Sequence, residues 1–510
     1  MKTNISNNPI AILGGGVSGL AAALTLLEKG EKVVLIEKNV EVGGSASSID
    51  IPEKRKIPVC YHQIVGSDIH LLRFLKKLGL FTMVKWKKVN ISSVINDQYI
   101  NLASPKDILI LKILSLSSRL KYLLFGLRCL TTRNWSSWEK KSVTEFIRKW
   151  ADEEILSEIV KPLVSIKFGF STDQADAAWL GRRLSHREGN TPFGYIPNTS
   201  WTFEMCQVFV RSINSLGGVL MVNTSVRSFI RKGKKIDCVI TDRGVRIPVK
   251  AVVSTLPPPV LCRLLIKNHF PNDWILKLEG IKYISCYSLL AGLPTVPFKD
   301  YWTVILKPRK IFGACFNISL LNDTLVTQKD LSIVNLFTNI PLGEYPWSTE
   351  EYNKLAIKDL EEVTGHKIRP NWIRSQIINY VSPIFKVGYK SLPTMLGPNL
   401  FLAGVFQTYP KFSSTAASTS PLRRYTSPTS PSSRPATSAG FGVSVSSIII
   451  FRSYRPTQTC PKVDLPLYSC FTAPPIALFS TASATSLFTA SGSIFSSMSL
   501  SFLRGYAAGR

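Results

Sequence analysis

Residues Ile10-Ala-Ile-Leu13, Gly14-Gly-Gly-Val-Ser-Gly19, Leu20 to Lys29, Lys32-Val-Val-Leu-Ile-Glu37 and Gly43-Gly44 follow one another in a single run near the start of the chain. They read as a strand, a glycine-rich turn, a helix, a second strand ending in an acid, and a glycine pair. Each position has a physical reason. Gly14 allows a tight exit from the strand, Gly16 allows a pyrophosphate to approach the main chain, and Gly19 allows the helix to pack close to the sheet. Negative phosphates suit a helix N-terminus, where N–H groups and the helix dipole favour anions. Glu37 stands 18 residues past Gly19, placed to accept hydrogen bonds from a ribose diol. A glycine-rich βα turn alone is weak evidence, but the acid at the end of the second strand makes dinucleotide binding the expectation.

The pair Gly43-Gly44, six residues past Glu37, adds a second backbone-rich surface beside the first. An extended pyrophosphate fits between them. This arrangement resembles the FAD-binding fingerprint of the superfamily of amine oxidases, protoporphyrinogen oxidases and carotenoid desaturases. In that superfamily the glycine pair follows the ribose acid at about this distance, and Arg often follows the pair. Ser45 stands there in this chain. The resemblance implies FAD as cofactor, held by Gly14, Gly16, Val17, Ser18, Gly19, Glu37, Lys38, Gly43, Gly44 and Ser45.

The 510 residues have room for two or three domains and a large core. Lys and Arg number 62 against 33 Asp and Glu, a formal charge of +29. The basic residues are scattered, without a zinc module, an RNP-type motif or a basic arm, so nucleic acid is not an expected partner. An anionic substrate and peripheral contact with acidic lipid both stay open. Nine cysteines without a CxxC pair and five histidines without HxxxH spacing point to no metal site, and to a reducing, cytoplasmic setting. The apolar start of the chain is the first strand and helix of the nucleotide fold rather than a signal peptide. The other hydrophobic run, Ile108 to Leu130, carries Lys112, Arg119, Lys121 and Arg128, too many charges for a membrane span. It can lie on a membrane surface, but packing inside a helical substrate domain is the preferred reading, and no transmembrane segment is expected.

Further along, Leu71, Leu72, Phe74, Leu75 and Leu78 recur at helical spacing before Gly79, and a helical stretch is expected from there to about residue 130. Lys161-Pro-Leu-Val-Ser-Ile-Lys-Phe-Gly169, Ala175-Asp-Ala-Ala-Trp-Leu-Gly-Arg-Arg183 and Gly194-Tyr-Ile196 sharpen the resemblance. They are similar to a subgroup of flavin oxidoreductases close to protoporphyrinogen oxidase. In it, a Lys-Phe-Gly segment precedes an Ala-Ala-Trp helix and a Gly-Tyr turn. That subgroup tends next to a glycine-rich turn, whereas this chain has Pro197-Asn-Thr-Ser-Trp-Thr-Phe203. Short β elements follow over 218–256. Here the resemblance implies a return to the FAD domain, with a backbone contact from Val226 to the adenine. Residues 282–340 alternate as an antiparallel sheet that would floor a substrate cavity, with a helix near 349–364. Asn399 to Pro410 resembles the last FAD strand, with Gly404 close to the cofactor.

Beyond Lys411 the pattern breaks. Residues 412–510 hold 34 Ser and Thr, nine Pro, the single acid Asp464 and no Glu. A disordered Ser/Thr/Pro extension and a glycosylated stalk are two readings of this tail. A reading frame shifted from near Lys411, which leaves the tail an aberrant sequence, is favoured over both.

The expected fold is α/β (α+β overall): a Rossmann-like FAD/NAD(P)-binding domain with a helical plus antiparallel-sheet substrate domain and the tail. The FAD domain is expected from 1–95, 215–275 and 395–411, the helical part from 96–214, the sheet part from 276–394 and the tail from 412–510. The resemblance implies an FAD-dependent oxidoreductase moving a hydride from a small organic substrate to flavin N5. Two alternatives stay open: a redox-neutral flavin enzyme resembling UDP-galactopyranose mutase, and a chain left defective by its altered C-terminus. Lys167 and His62 are the candidate side chains for catalysis. A surface or ion-paired lysine is the preferred reading of Lys167, and a satisfied core histidine that of His62. Substrate, electron acceptor and oligomeric state are not legible.

Overall fold

A computed structural model describes residues 8–52, 54–66, 68–185, 192–308, 310–326 and 331–410. The expectations for 412–510 lie outside the described residues.

Four short parallel strands form the heart of the first half: β1 (Ile10–Leu13), β2 (Val33–Ile36), β3 (Val219–Met221) and β4 (Ala251–Ser254). Two more, β5 (Met395–Gly397) and β6 (Leu400–Leu402), complete a six-stranded sheet in the order β3-β2-β1-β4-β6-β5. Only β5 runs antiparallel to its neighbour. In register, Ile10 faces Val33 on one side and Ala251 on the other. β1 and β2 are buried along their whole length, which is why they are continuous apolar runs rather than alternating ones. Helix α1 (Val17–Leu27) and the helix Trp201–Ser215 cover one face, where Ile10, Ile12, Val33 and Leu35 point. The opposite face, carrying Ala11, Leu13, Val34 and Ile36, packs under a three-stranded antiparallel sheet and the helix Pro258–Lys267.

The second half is a seven-stranded sheet. Its order is Trp372–Pro383, Tyr283–Leu293, Ser332–Pro341, Ala314–Asn317, Trp302–Lys307, Ile91–Ile95 and Gln98–Ile100. The antiparallel strands expected over 282–340 are present, and the helix Thr349–Thr364 starts with a capping box of Ser348 and Glu351. This helix covers one face through Tyr352, Ala356 and Leu360, while helices from residues 105–184 cover the other.

One sequence expectation needs correction. The helical stretch anticipated from 79 to about 130 begins only at Pro105. Before it, Ile91–Ile95 and Gln98–Ile100 pair as a hairpin, and Ile91–Ile95 adds to the large sheet in parallel with Trp302–Lys307. The signal was local: Asn96-Asp97 forms a two-residue turn with φ of 46° and 63°, the left-handed pair that such hairpins use. Leu116–Thr131 packs against the core through one side. Only one stripe of this helix, Ser118, Phe125 and Cys129, is buried. Among the described residues no helix is long and apolar enough to cross a membrane.

Candidate functional site

The C-terminal ends of β1, β4 and β6 meet at one edge of the parallel sheet, the edge at which such sheets form a crevice. Gly14 leaves β1 with φ of +100°, and its N–H donates to the Ile36 carbonyl at 2.9 Å. A Cβ on Gly14 would stand 2.8 Å from Thr255 Oγ1, and that hydroxyl donates to the carbonyls of Leu13 and Gly14. A Cβ on Gly19 would lie 1.9 Å from the Gly14 carbonyl oxygen, so the helix sits directly against the turn. Gly16 differs. It has ordinary extended backbone at the N-cap of α1, and nothing lies within 4 Å of where its Cβ would be. That open space lies at the start of a helix whose first i→i−4 bond runs from Leu20 N–H to Gly16. Val17 and Ser18, half-buried, form its first turn.

Glu37 follows β2 with only 6% of its surface exposed. Its carboxylate accepts from the Gly15 N–H at 2.6 Å and the Asn39 N–H at 2.9 Å. Its own N–H donates to Met221, and its carbonyl accepts from Thr224 N–H. The acid is therefore fixed to the glycine turn and to the strand beside it, and each of its oxygens retains capacity for a further donor. Val226, two residues past Thr224, opens the strand Val226–Lys232 and is half-buried; Lys38 is exposed.

The glycine pair lies where the sequence suggests. Gly43 N–H donates to the Gly15 carbonyl at 2.8 Å, and Gly16 and Gly43 form a parallel bridge. The φ values of Gly43 and Gly44, +125° and +59°, suit glycine, and a Cβ on Gly44 would be 3.2 Å from Gly16 Cα. Ser45 is exposed and brings no positive charge. At the far side of the edge, Ala403 N–H donates to Ser254, and Gly404 N–H donates to the Gln407 side chain. A Cβ on Gly404 would meet the Phe406 ring at 2.4 Å. The Ser254 hydroxyl, missed by sequence reasoning, is buried at the end of β4 with no hydrogen-bond partner.

A second cluster, largely buried, comes from the large sheet. Residues 59–63 run across its inner face: Ser288 Oγ donates to the Val59 carbonyl at 2.7 Å, and Tyr61 N–H donates to Asn335 Oδ1 at 3.2 Å. Asn335, fully buried, also donates to Ser288 Oγ at 2.8 Å. The Tyr61 ring stacks on Phe316 at 4.1 Å and lies 4.8 Å from Phe337, while Trp302 sits 4.9 Å from Phe316. Trp302 Nε1 and Gln63 Nε2 are buried without a hydrogen-bond partner. None of these residues stands out in the sequence, because strands distant along the chain bring them together.

The two catalytic candidates lie around this cluster. His62 is half-buried, with Nδ1 3.0 Å from the Cys60 carbonyl, and burial holds its imidazole below the ordinary histidine range. Its carbonyl accepts from the Trp201 indole at 3.0 Å, so the Pro197–Phe203 segment starts a helix against it. Lys167 is half-buried on the helix Lys161–Phe168, whose carbonyls at Ile166 and Lys167 accept from Asn339 Nδ2. Its charge also reaches Cys286. That thiol is pushed well above its usual range by a hydrogen bond with Cys60 and by burial, and Lys167 draws it partly back. The strand Ser332–Pro341 ties the Lys167 helix and the Cys60–His62 segment to one sheet, Asn339 bonding the Lys167 carbonyl and Asn335 the Tyr61 N–H.

The donor set at the strand edge fits FAD: an open cradle at Gly16, a helix start and a fixed carboxylate with spare acceptor capacity. The comparisons agree. The profile of the family described as flavin containing amine oxidoreductase matches residues 17–421. Carotenoid 3,4-desaturase of Haloarcula japonica is 39% identical over 49 residues, a match covering 10% of each chain. Flavin-containing amine oxidase A of Equus caballus is 22% identical over 284 residues, 52% of each chain. The chain thus spans from a tenth to about half the length of these relatives. Among solved structures, a putative protoporphyrinogen oxidase from Exiguobacterium sp. 255-15 superposes with a TM-score of 0.64 at 17% identity, over 81% of this chain and 97% of that one. Reduced UDP-galactopyranose mutase gives 0.62 at 16%, over 81% and 93%. Putrescine oxidase bound to putrescine gives 0.56 at 14%, over 81% and 96%. At these identities the likeness is one of fold. The chain belongs to the flavin-containing amine oxidoreductase family, and its cofactor is FAD.

Proposed function

We propose that this chain is an FAD-dependent oxidoreductase that takes a hydride from a small organic substrate. The observation that carries the reading is the open cradle at Gly16 beside the fixed Glu37 carboxylate. Bound FAD supplies the acceptor of the hydride, at flavin N5. The protein contributes binding and placement. The Gly14–Gly19 turn and the Gly43-Gly44 loop receive the pyrophosphate, Glu37 accepts from the ribose hydroxyls, Val226 borders the adenine, and Gly404 borders the flavin. This division supports a discontinuous FAD domain, since β1–β2, β3–β4 and β5–β6 come from three separate chain segments.

The aromatic cluster of Tyr61, Phe316, Phe337 and Trp302 is the group of side chains to test as a wall for the substrate. Trp302 Nε1 and Gln63 Nε2 are available to an acceptor on the substrate. Lys167 and His62 are the side chains to test for a part in turnover.

The test is anaerobic mixing of the flavin-loaded chain with primary amines, with diamines such as the putrescine of the neighbouring oxidase, and with polyenes. Bleaching of the long-wavelength flavin band by one class supports the reading and assigns the substrate. Turnover of a sugar nucleotide only by pre-reduced enzyme would replace it with the redox-neutral alternative. A folded chain that takes up no FAD would overturn both and leave the defective-chain reading.

A further inference from the structure

The helix Leu116–Thr131 has two apolar faces, and only one of them is used. Ser118, Phe125 and Cys129 point into the core. At 100° per residue, Leu116, Leu120, Leu124 and Leu127 form a row on the opposite side. These four leucines, with Leu109 and Ile110 from the helix Pro105–Ile110, each expose 43–66% of their surface. Scattered single apolar residues on a surface are ordinary; a continuous row over two consecutive helices is not.

The charges around this row have one sign. Between residues 104 and 133 there are six Lys and Arg, at 106, 112, 119, 121, 128 and 133, and one acid, Asp107. On the helix, Arg128 and Lys121 flank the leucine row on one side and Arg119 on the other. Asp107 turns inward to the chain, accepting from Asn101 N–H and Ser104 Oγ. Arg119 donates to the carbonyls of Leu109 and Leu114, partners that carry no charge. Arg128 lies over the Trp150 ring, its centre 4.3 Å away. Lys121 pairs with Asp152 at 3.3 Å. An apolar row edged by cations is the surface that lies in the plane of an anionic bilayer, leucines in the acyl boundary and cations among the phosphates.

We propose that the Pro105–Thr131 region is a membrane-docking face that binds anionic lipid surfaces in-plane, without spanning them. The alternation of leucine and cation is a poor match to a second copy of this same face, where like charges would meet. The expected occupant is therefore a bilayer.

The experiment is flotation of the purified full-length, flavin-loaded chain with vesicles of equal parts phosphatidylcholine and phosphatidylglycerol, against vesicles of phosphatidylcholine alone. Residues 412–510 carry eight further Lys and Arg and one acid, so anionic binding by itself does not decide the matter. The triple variant Leu120→Ser/Leu124→Ser/Leu127→Ser does. It should raise the half-saturating lipid concentration at least about tenfold while flavin content and the circular dichroism spectrum stay unchanged. Lys106→Gln/Lys112→Gln/Arg133→Gln, all exposed positions, should lose binding to the anionic vesicles preferentially and flatten its salt dependence. Binding unchanged by the folded leucine variant overturns the proposal. So does failure of the folded chain to bind either vesicle, which would hand the face to residues 411–510 or to another protein. Sedimentation without lipid completes the test: a dimer that the leucine variant converts to a monomer would assign the face to a second copy.

Discussion

The two halves of the candidate site are built from different materials. The nucleotide edge is mostly backbone: the positions that shape it are Gly14, Gly16, Gly19, Gly43 and Gly44, and its one acid is held by main-chain N–H groups. The cluster on the large sheet is made of side chains, with Tyr61, Ser288, Trp302, Phe316, Asn335 and Phe337 contributed by five separate segments. A backbone site tolerates change almost anywhere except where a Cβ would intrude. A side-chain site can be rewritten residue by residue. Under the proposed function, one half fixes the cofactor and the other is where substrate choice resides.

The comparison can be broken most sharply at Gly19. Gly19→Val places a Cβ 1.9 Å from the Gly14 carbonyl, where only a shift of α1 relieves the clash. The expected outcome is loss of FAD together with a stability loss of about 3 kcal/mol, read from a urea midpoint. Next is Asn335→Leu, on the other side of the divide. It removes the side-chain acceptor of Tyr61 N–H and a donor to Ser288 Oγ, which keeps its bond to the Val59 carbonyl, so stability should fall by about 2 kcal/mol while flavin stoichiometry is retained. Glu37→Gln should cost about 1 kcal/mol of stability, since one amide oxygen still accepts a main-chain N–H, and weaken FAD roughly tenfold in a binding titration. The smallest effect is expected at Trp302→Phe. It removes an N–H that has no partner in the protein, so stability should stay within about 0.5 kcal/mol. A change in the substrate's KM alone would then tie that N–H to substrate.

The same contrast explains what could be read from the chain. The nucleotide edge was legible because its signals are short-range: four glycines and an acid at fixed offsets, flanked by apolar runs too continuous for a half-exposed strand. The glycine pair's contact with Gly16 also followed from spacing. The hairpin at Asn96-Asp97 was missed although its signal is local, because the leucine-rich run after it dominates the pattern and draws the helix boundary forward. The side-chain cluster was not legible for a different reason. Trp302 and Phe316 meet by strand register, and Asn335 reaches Tyr61 across 274 residues of sequence. Periodicity shows that such residues lie in strands but not which strands are neighbours. The outer face of Leu116–Thr131 shows the limit of reading burial from apolar content: both of its faces are apolar, and only packing distinguishes them.

The central claim is that Gly16 is open because the cofactor occupies that space, whereas Gly19 is closed because the fold does. The direct measurement is FAD per chain and urea midpoint for the wild type and Gly16→Val, whose Cβ meets no protein atom within 4 Å. The account predicts one FAD per wild-type chain. It predicts a colourless variant whose apoprotein midpoint differs from that of the wild-type apoprotein by no more than an N-cap change of about 1 kcal/mol. A variant that retains stoichiometric FAD would contradict it, because the cradle would then not be where the pyrophosphate lies.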